Sequence, residues 1–466
     1  MRDERVRKFL FPLTAVFLLA WFLFFTWRSL YIYFDQDDMM NLYLAWSKPL
    51  GQVVRANFFF WSDFYRPMGA LFYRANYALW GFNPMPFRVA CLLLGALNIA
   101  LCGWFVRLVS NSGRVTALAS LLFAFHPRLI EVWYRTSVIY DLLCFTFLYA
   151  GLCLYIDARN RGGFPGRGRA ALILICHVCA LNTKEMGVVL PVFLLAWELL
   201  FQWPATGRQW RRLWLIAGLA LLNLPYIYGK THGASALVGN PYYAPSYTWS
   251  QYQGSWKVYL QYLFLRTEIE PQVALAILLS LLFLSLLARS RILIFAWVVI
   301  VVGMLPVSFI PYRGGYALYI SWAGWVLYGA TILVGLQDRL TRNQPRYRLR
   351  LACLVFILVG WRFGKISLHD QRTDPRRWLY DPADQVRAMT TQMRDLQPVL
   401  PKGARLLFLD DSYPAGEWTP WFLMKLAWHD DTLVIDRLKM MDQKPADWNA
   451  YLHVFTFEHG IYSRLK

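Results

Sequence analysis

Three carboxylates fall within four residues of one another, directly after an apolar run, in the segment 31–46. They are Asp35, Asp37 and Asp38. Like charges this close repel, so the pKa of at least one carboxyl group should be raised, and that group becomes a better proton acceptor near neutral pH. The pattern therefore predicts a loop that holds a general base. A solvated acidic loop is the alternative interpretation, and these residues alone favour neither.

Five further ionisable side chains lie inside apolar runs or at their edges. They are His126, Glu131, Asp141, Lys184 and Glu185. An ionisable group inside a membrane costs about 2.5–3.5 kcal/mol or more, so several together indicate a polar cavity or mutual pairing. Glu131 also precedes Arg135 by four residues, at helical spacing. A purely structural ion-pair network is thus the alternative to a binding site.

Two arginines add positive charge in other loops. Arg66 stands in Tyr65-Arg66-Pro67, and Arg313 precedes Gly314 and Gly315, which permit close approach of the backbone to a ligand. A base surrounded by cations is what transfer from a lipid-phosphate sugar donor requires. The base takes the proton of the acceptor hydroxyl, and the cations stabilise the departing phosphate. A phosphate leaves without an acid, so a second catalytic carboxylate is not demanded.

The composition places the chain in a lipid bilayer. Of its 466 residues, 57% are hydrophobic and only 16% are charged, and so much apolar sequence cannot be buried in one soluble core. The formal charge of +20 comes from short basic clusters between apolar segments, as expected for the cytoplasmic loops of membrane proteins. Nucleic-acid binding is therefore not expected.

The apolar runs predict about eleven membrane-spanning helices in residues 1–366. The predicted spans are 9–31, 87–109, 115–133, 137–157, 170–183, 186–202, 213–229, 271–288, 292–310, 316–336 and 350–366. The basic clusters fall on the side of the N-terminus, which the positive-inside rule assigns to the cytoplasm. The acidic loop, within the long outer connection 32–86, and every other ionisable cluster named above fall on the opposite face. This segregation favours a single extracytoplasmic site in an integral membrane protein.

Two other outer segments have their own character. The loop 231–257 is aromatic and nearly uncharged, as expected either for a lid that stacks on a sugar or for a segment that packs on lipid. Residues 367–466 have the rhythm of a soluble fold, with predicted helices at 382–396 and 418–427 and predicted strands at 405–409 and 432–435. We expect a small extracytoplasmic α/β domain there, with Asp410 and Asp411 in a solvated loop rather than at a metal.

The chain resembles GT-C-fold glycosyltransferases that use polyprenyl-phosphate sugars, in particular bacterial relatives of the transmembrane and tetratricopeptide-repeat-containing O-mannosyltransferases. The resemblance covers roughly residues 30–200. It rests on Asp37-Asp38 after the first span, on Tyr65-Arg66-Pro67 with residues 76–84, on His126-Pro127 with Glu131 and Asp141, and on Lys184-Glu185. It implies a polytopic α-helical GT-C-like membrane protein that acts as an inverting glycosyltransferase on an acceptor hydroxyl, in the bacterial plasma membrane.

The resemblance also assigns roles to residues. Asp37 takes the position of the catalytic carboxylate, with Asp38 as its neighbour. The donor phosphate and sugar would be bound by the other cluster residues, namely Arg66, His126, Glu131, Asp141, Lys184, Glu185 and Arg313. Arg313 is displaced by three residues from the arginine of the family's pattern, and Ser321 stands in place of the proline of that pattern. No tetratricopeptide repeats follow the membrane part, so the protein acceptor of the eukaryotic members does not carry over.

Several alternatives stay open at this point. A transporter or flippase of lipid-linked sugars and a non-catalytic membrane assembly subunit could share the fold. A divalent metal ion could bind in the acidic loop, although ligands from a second segment are not evident. The sequence identifies neither the sugar nor the acceptor, which could be a glycan, a lipid or a protein.

Overall fold

The computed structural model describes residues 2–62, 64–203, 213–234, 236, 239–265, 268–373, 377–397, 399–443, 445 and 447–466. Most of these residues are helical. The α-helices of the first half are Arg2–Thr26, Gln36–Trp46, Leu50–Ala56, Pro67–Trp80, Pro84–Ser110, Gly113–Ala124, Glu131–Tyr134, Ile139–Asn160, Arg167–Thr183, Leu190–Trp197 and Trp214–His232. Those of the second half are Trp249–Phe264, Pro271–Leu287, Arg291–Met304, Tyr319–Leu340, Arg348–Thr373, Arg377–Leu396 and Thr419–Ala427.

Six helical segments in the described residues are long and apolar enough to cross a membrane. They are Pro12–Tyr31, Pro84–Ser110, Thr136–Asn160, Glu185–Gln202, Gly315–Leu340 and Arg348–Gln371. Shorter apolar helices occupy Gly113–Ala124, Pro271–Leu287 and Arg291–Val307. The protein is therefore an integral membrane protein, while the predicted total of about eleven spans stays a prediction.

The spanning helices divide into central and peripheral ones. In the apolar windows of Gly315–Leu340 and Thr136–Asn160, 72% and 67% of the residues are buried, against 28% for Pro12–Tyr31 and 17% for Arg348–Gln371. Tyr149 links the two central helices, because its hydroxyl donates to the carbonyl of Ile320 at 2.8 Å. The first and last of the six segments consequently present most of their surface to lipid.

Two predicted boundaries are wrong. The predicted span 115–133 stops as a helix at Ala124, and Phe125 and His126 are extended. Pro127 explains this, since a proline disfavours the helical conformation of the residue before it. The predicted loop 231–257 contains the start of the helix Trp249–Phe264. Thr248 caps the N-terminus of this helix, because its hydroxyl oxygen accepts from the N–H of Gln251 at 3.2 Å.

The C-terminal residues form a four-stranded sheet with the order β2-β1-β3-β4. Its strands are β1 (Arg405–Phe408), β2 (Val434–Arg437), β3 (His453–Glu458) and β4 (Ile461–Arg464). β1 is parallel to both β2 and β3, and only β3 and β4 are antiparallel. The predicted helices and strands are found here with shifted ends, and the domain boundary at 366 stays a prediction.

The expectation that Asp411 lies in a solvated loop is wrong, because this side chain is buried. It is 4% exposed and pairs with Arg437 at the end of β2, 2.7 Å from Nη2 to Oδ1. Arg437 also donates to the carbonyls of Tyr413 and Pro414. The pair thereby closes the loop that follows β1. Asp410 stays largely exposed and pairs with Lys439.

The C-terminal unit packs on the connection 32–86 between the first two predicted spans. The Tyr77 hydroxyl donates to the carbonyl of Leu426 at 2.7 Å and lies 3.0 Å from His429 Nδ1. The rings of Tyr43 and Trp421 meet edge to face with centroids 4.7 Å apart. Since Tyr43 belongs to the helix Gln36–Trp46, this docking supports the helix that begins with the three carboxylates.

Candidate active site

The acidic segment is the N-terminus of the helix Gln36–Trp46, which we call the acid helix. Asp35 is its N-cap and accepts from the N–H of Asp38 at 2.8 Å, while the Asp38 carboxylate accepts from the N–H of Asp35 at 3.4 Å. This reciprocal capping box satisfies two backbone donors that a helix start leaves free. Since Asp35 and Asp38 form the box, Asp37 is the carboxylate that does not take part in capping.

Asp38 is fully buried and firmly held. Its Oδ2 lies 3.0 Å from Nη2 of Arg88, which is 1% exposed, and its Oδ1 accepts from the N–H of Ser137 at 2.6 Å. Burial raises the pKa of Asp38, and Arg88 and the Ser137 N–H oppose that rise. Asp38 thus joins the acid helix to two spanning segments, a geometry that favours a positioning role.

Asp37 differs from its two neighbours. Asp35 pairs with Arg135, 3.3 Å from Nε to Oδ2, whereas the Asp37 carboxylate has no hydrogen bond or ion pair within the described part of the chain. The Asp37 side chain is exposed. Its pKa is nevertheless raised, first by the protein that surrounds it and then by Asp35, against Arg135 and Arg313. A group that water reaches but protein surrounds is expected at the wall of a cavity.

Arg66 lies across the cluster from the acid helix. Its Nη2 is 2.9 Å from both carboxylate oxygens of Glu185, and its guanidinium lies 5.3 Å from the ring centroids of Tyr65 and Tyr140. The Tyr140 hydroxyl donates to Asn41 Oδ1 at 2.9 Å. Asn41 is on the acid helix, so a continuous set of contacts runs from Arg66 to the carboxylates.

Lys184 and Asp141 form a second internal ion pair. Both side chains are buried, at 4% and 2% exposure. The Lys184 ammonium also lies 4.7 Å from the ring centroid of Tyr316. The structure thus brings Lys184, Asp141, Arg66 and Glu185 together, and each of the two cations is already matched by a carboxylate.

Arg313 stands in a turn that only glycines allow. Gly314 has a φ of +93°, and a Cβ on Gly315 would lie 2.2 Å from the carbonyl oxygen of Arg128. The N–H of Gly315 donates to the carboxylate of Glu131, whose pKa is raised to about 7 by burial. Glu131 therefore holds the turn rather than facing an open cavity.

The Arg313 side chain is directed at an aromatic residue. Its Nη2 donates to the Tyr243 hydroxyl at 2.6 Å, its Nη1 donates to the carbonyl of Tyr242 at 3.3 Å, and its guanidinium lies 4.1 Å from the Tyr243 ring centroid. It has no carboxylate partner in the described ranges. It still lies close enough to Asp37 to lower the pKa of that group. Despite its displaced position in the sequence, Arg313 is part of the cluster.

His126 has a different environment. Its Nε2 is 3.1 Å from the carbonyl of Leu263, and its Nδ1 accepts from the N–H of Arg128 at 3.2 Å. Burial lowers the pKa of the imidazole to about 4, so the ring is neutral at physiological pH. With both nitrogens bonded to backbone, this geometry favours a structural role over contact with a donor.

An apolar groove of about 300 Å³ lies between the helices Trp249–Phe264, Pro271–Leu287 and Arg291–Met304. It is lined by Trp249, Tyr252, Leu275, Leu278, Trp297 and Val301, among others. The N–H of Ser246 donates to the carbonyl of Phe309 at 2.7 Å, and Gln251 Nε2 donates to the carbonyl of Ile310 at 2.8 Å. These bonds join one wall of the groove to the segment that leads into Arg313.

The described residues contain no group of three or more His, Cys, Asp or Glu side chains placed to bind a metal ion. Asp35 and Asp38 are bound by arginines, as given above. The divalent ion considered for the acidic loop therefore has no ligand set in this part of the structure.

Residues 56–230 match the model of a family described as dolichyl-phosphate-mannose-protein mannosyltransferase. Protein O-mannosyl-transferase TMTC2 of Homo sapiens is 31% identical over 132 residues, or 27% of this chain, and the Mus musculus protein matches equally. The chain spans 15% of the length of these relatives. The apo crystal structure of ArnT from Cupriavidus metallidurans superposes with a TM-score of 0.50 at 14% identity, over 92% of this chain and 86% of that one.

The predicted resemblance is confirmed. The family match begins before Arg66, includes Lys184 and Glu185, and ends at Lys230. The likeness to ArnT extends over nearly the whole chain and establishes the fold, which is of the GT-C type. The acid helix lies upstream of the family match, so its role depends on the geometry described above.

Sequence reasoning missed several residues of this cluster. Arg88 is an ionisable residue in a long apolar run, the same signal that identified Asp141, and it could have been found in that way. Tyr140 and Tyr243 are two of 27 tyrosines, and nothing in their local sequence distinguishes them. Lys230 lies in the last turn of an apolar helix. A basic residue is common at such a position, so the sequence did not predict its contact with Tyr65.

Replacing Arg88 by Met should lower the free energy of unfolding by about 3–5 kcal/mol, because Asp38 would stay buried without a partner. Thermal unfolding of the purified protein in detergent measures the effect. In the double variant with Asp38→Asn, the loss should be smaller than the sum of the two single losses. Arg161→Met is the control, since the Arg161 side chain is 72% exposed; additive losses would contradict the coupling.

Gly315→Ala should abolish the geometry of the Arg313 turn, because a methyl group 2.2 Å from the Arg128 carbonyl oxygen forces the backbone to move. Overpacking of this kind costs about 1–3 kcal/mol or more. Gly329→Ala is the matched control, since a Cβ there meets nothing within 4 Å. Transfer activity and thermal stability should fall for the first variant only, and an unchanged Gly315→Ala protein would contradict the assigned turn.

Proposed function

We propose that the protein is an inverting glycosyltransferase that moves a sugar from a polyprenyl-phosphate donor to an acceptor hydroxyl on the extracytoplasmic face of the membrane. The observation that carries this proposal is the Asp37 carboxylate, which is exposed, has no ion pair among the described residues and lies close enough to Arg313 for that cation to lower its pKa. A proton acceptor beside an unpaired cation is the minimum that this reaction needs.

In the proposed step, the acceptor oxygen attacks the sugar carbon that bears the phosphate as Asp37 takes the hydroxyl proton. A new carbon–oxygen bond forms, the bond from that carbon to the phosphate oxygen breaks, and the electron pair leaves with the polyprenyl phosphate. Attack opposite the leaving group inverts the sugar carbon. Asp38, fixed by Arg88, would set the position of Asp37 without taking part in the proton transfer.

Arg313 is the favoured phosphate ligand among Arg66, Lys184 and Arg313. The first two are matched by Glu185 and Asp141, whereas the Arg313 guanidinium contacts Tyr242 and Tyr243 and has no carboxylate partner among the described residues. An ion already paired has less to gain from an incoming anion than one whose charge is uncompensated. Arg66, Lys184 and their partners would shape the site and keep its field fixed.

The apolar groove is our candidate for the first isoprene units of the carrier. It is lined almost wholly by apolar atoms, and its wall continues to Arg313, so a lipid whose tail lay there would have its phosphate near that arginine. Mannose is the first sugar to test, because the matching family and the relatives named above are mannosyltransferases. We also propose that the N-terminus is cytoplasmic and that residues 367–466 lie on the extracytoplasmic face.

Asp37→Asn should lower the transfer rate by about 10²–10⁴-fold, as loss of a general base does, while leaving donor binding largely intact. The measurement is mass spectrometry of lipids that co-purify with the wild type and the variant. We expect a sugar-loaded polyprenyl phosphate to be retained by the variant, which would also identify the carrier and the sugar.

Asp384→Asn is the matched control, because the Asp384 side chain is 63% exposed and lies in the C-terminal unit. Its lipid content and turnover should equal those of the wild type. Full turnover by Asp37→Asn would refute the role of Asp37. A flippase would retain the lipid-linked sugar in both variants but transfer it in neither, and a non-catalytic subunit would bind no polyprenyl-phosphate sugar at all.

The rate of transfer should fall at low pH as Asp37 becomes protonated. Because the surrounding protein, which limits hydration of the carboxylate, and the charge of Asp35 raise the pKa of Asp37, this loss should occur at a higher pH than for an ordinary aspartate. Arg313 stabilises the ionised form, so Arg313→Gln should raise that pKa further and move the acidic limb of the kcat/KM profile to higher pH. Arg161→Gln should leave the limb in place, and an unmoved limb in Arg313→Gln would disprove the coupling.

A further inference from the structure

Lys230 is a buried cation near the cluster whose function is unassigned. It is 8% exposed and lies near the C-terminal end of the helix Trp214–His232. Its ammonium contacts the carbonyl oxygen of Tyr65 and lies 4.5 Å and 5.4 Å from the ring centroids of Tyr65 and Tyr226. Among the described residues it has no carboxylate at ion-pair distance, and the neighbouring Glu185 pairs with Arg66 instead.

A buried ammonium without a counter-ion is costly, since its hydration is lost and little replaces it. The carbonyl of Tyr65 occupies one of its three N–H donors and leaves two for other acceptors. Close packing also fixes the end of this helix: a Cβ on Gly229 would lie 2.4 Å from the carbonyl oxygen of Phe60. A cation held in place with unused donors is suited to an anionic ligand.

Lys230 and Arg313 lie on either side of one aromatic pair. The rings of Tyr65 and Tyr243 have centroids 6.4 Å apart. Lys230 contacts the first of these residues, and Arg313 lies 4.1 Å from the ring centroid of the second. Two uncompensated positive charges thus come from segments that are far apart in the chain and converge on Tyr65 and Tyr243.

The charge of the proposed donor matches this arrangement. A sugar–phosphate–polyprenyl diester carries one negative charge, and the departing polyprenyl phosphate carries up to two once the bond to the sugar is broken. One cation suffices for the bound donor, whereas a second has its greatest effect as the additional charge develops. Interactions that strengthen in the transition state are those that accelerate a reaction.

We propose that Lys230 is a second phosphate-binding residue that acts with Arg313 and is most important for the departing polyprenyl phosphate. This inference rests on the proposed function, since it names a further ligand of the same donor. It predicts that charge at position 230 matters more for binding the free lipid phosphate than for binding the uncharged lipid.

The test is the affinity of the purified full-length protein for farnesyl phosphate, farnesol and inorganic phosphate. Lys230→Met should weaken binding of farnesyl phosphate by about 10- to 100-fold, while Lys230→Arg should retain most of it. Farnesol should bind the wild type and Lys230→Met equally, which also shows that the variant is folded. Lys257→Met, on the helix Trp249–Phe264, is the matched control and should bind all three as the wild type does.

Equal binding of farnesyl phosphate by Lys230→Met and the wild type would overturn the role of Lys230 and leave the proposed function intact. A wild type that bound no farnesyl phosphate would instead count against the proposed function itself. If inorganic phosphate bound as tightly as farnesyl phosphate and with the same dependence on Lys230, the site would be one for free phosphate, and the assignment to the lipid product would be wrong.

Discussion

The ion pair between Asp38 and Arg88 is the interaction on which the rest of the site depends. Both side chains are almost fully buried, so either would be an uncompensated charge without the other. The pair fixes the first turn of the acid helix against a spanning helix, and the capping box orients Asp35 and Asp38 inward. Asp37 lies between Asp35 and Asp38 in the sequence but takes no part in the capping box, so its carboxylate points away from Arg88 and is open to solvent.

The same principle of matched charges explains which cations are available. Asp35 is paired with Arg135, Glu185 with Arg66 and Asp141 with Lys184. These pairs create a polar interior within an apolar helix bundle, and each pair fixes the position of the charges that it contains. Preorganised charge of this kind stabilises a transition state without reorganisation at the moment of reaction. Arg313 and Lys230 differ from these cations, because neither has a carboxylate partner in the part of the chain that the structure describes.

The sequence predicted the acidic loop, Lys184-Glu185 and Asp141 because an ionisable residue in an apolar run is improbable without a partner or a function. It did not predict which partner each would have, since Arg66 and Glu185 are 119 residues apart and Arg88 and Asp38 are 50 apart. Pairing across such distances is set by how the helices pack. The backbone contacts of Glu131 with Gly315 and of His126 with Leu263 are also set by helix packing. The sequence therefore could not show that these two side chains are bound by the protein itself.

The C-terminal unit also helps to hold the helix that bears Asp37. The helix Thr419–Ala427 packs against the acid helix through Trp421 and Tyr43, and Trp46 lies 4.9 Å from the ring of His429. The acid helix is thus held at its first turn by Arg88 and along its later turns by the sheet unit. A short helix of eleven residues is only marginally stable alone, so these two attachments explain how a carboxylate in an outer loop can have a fixed position. Because the C-terminal unit contacts the helix that bears Asp37, a shift of this unit would change the orientation of that carboxylate.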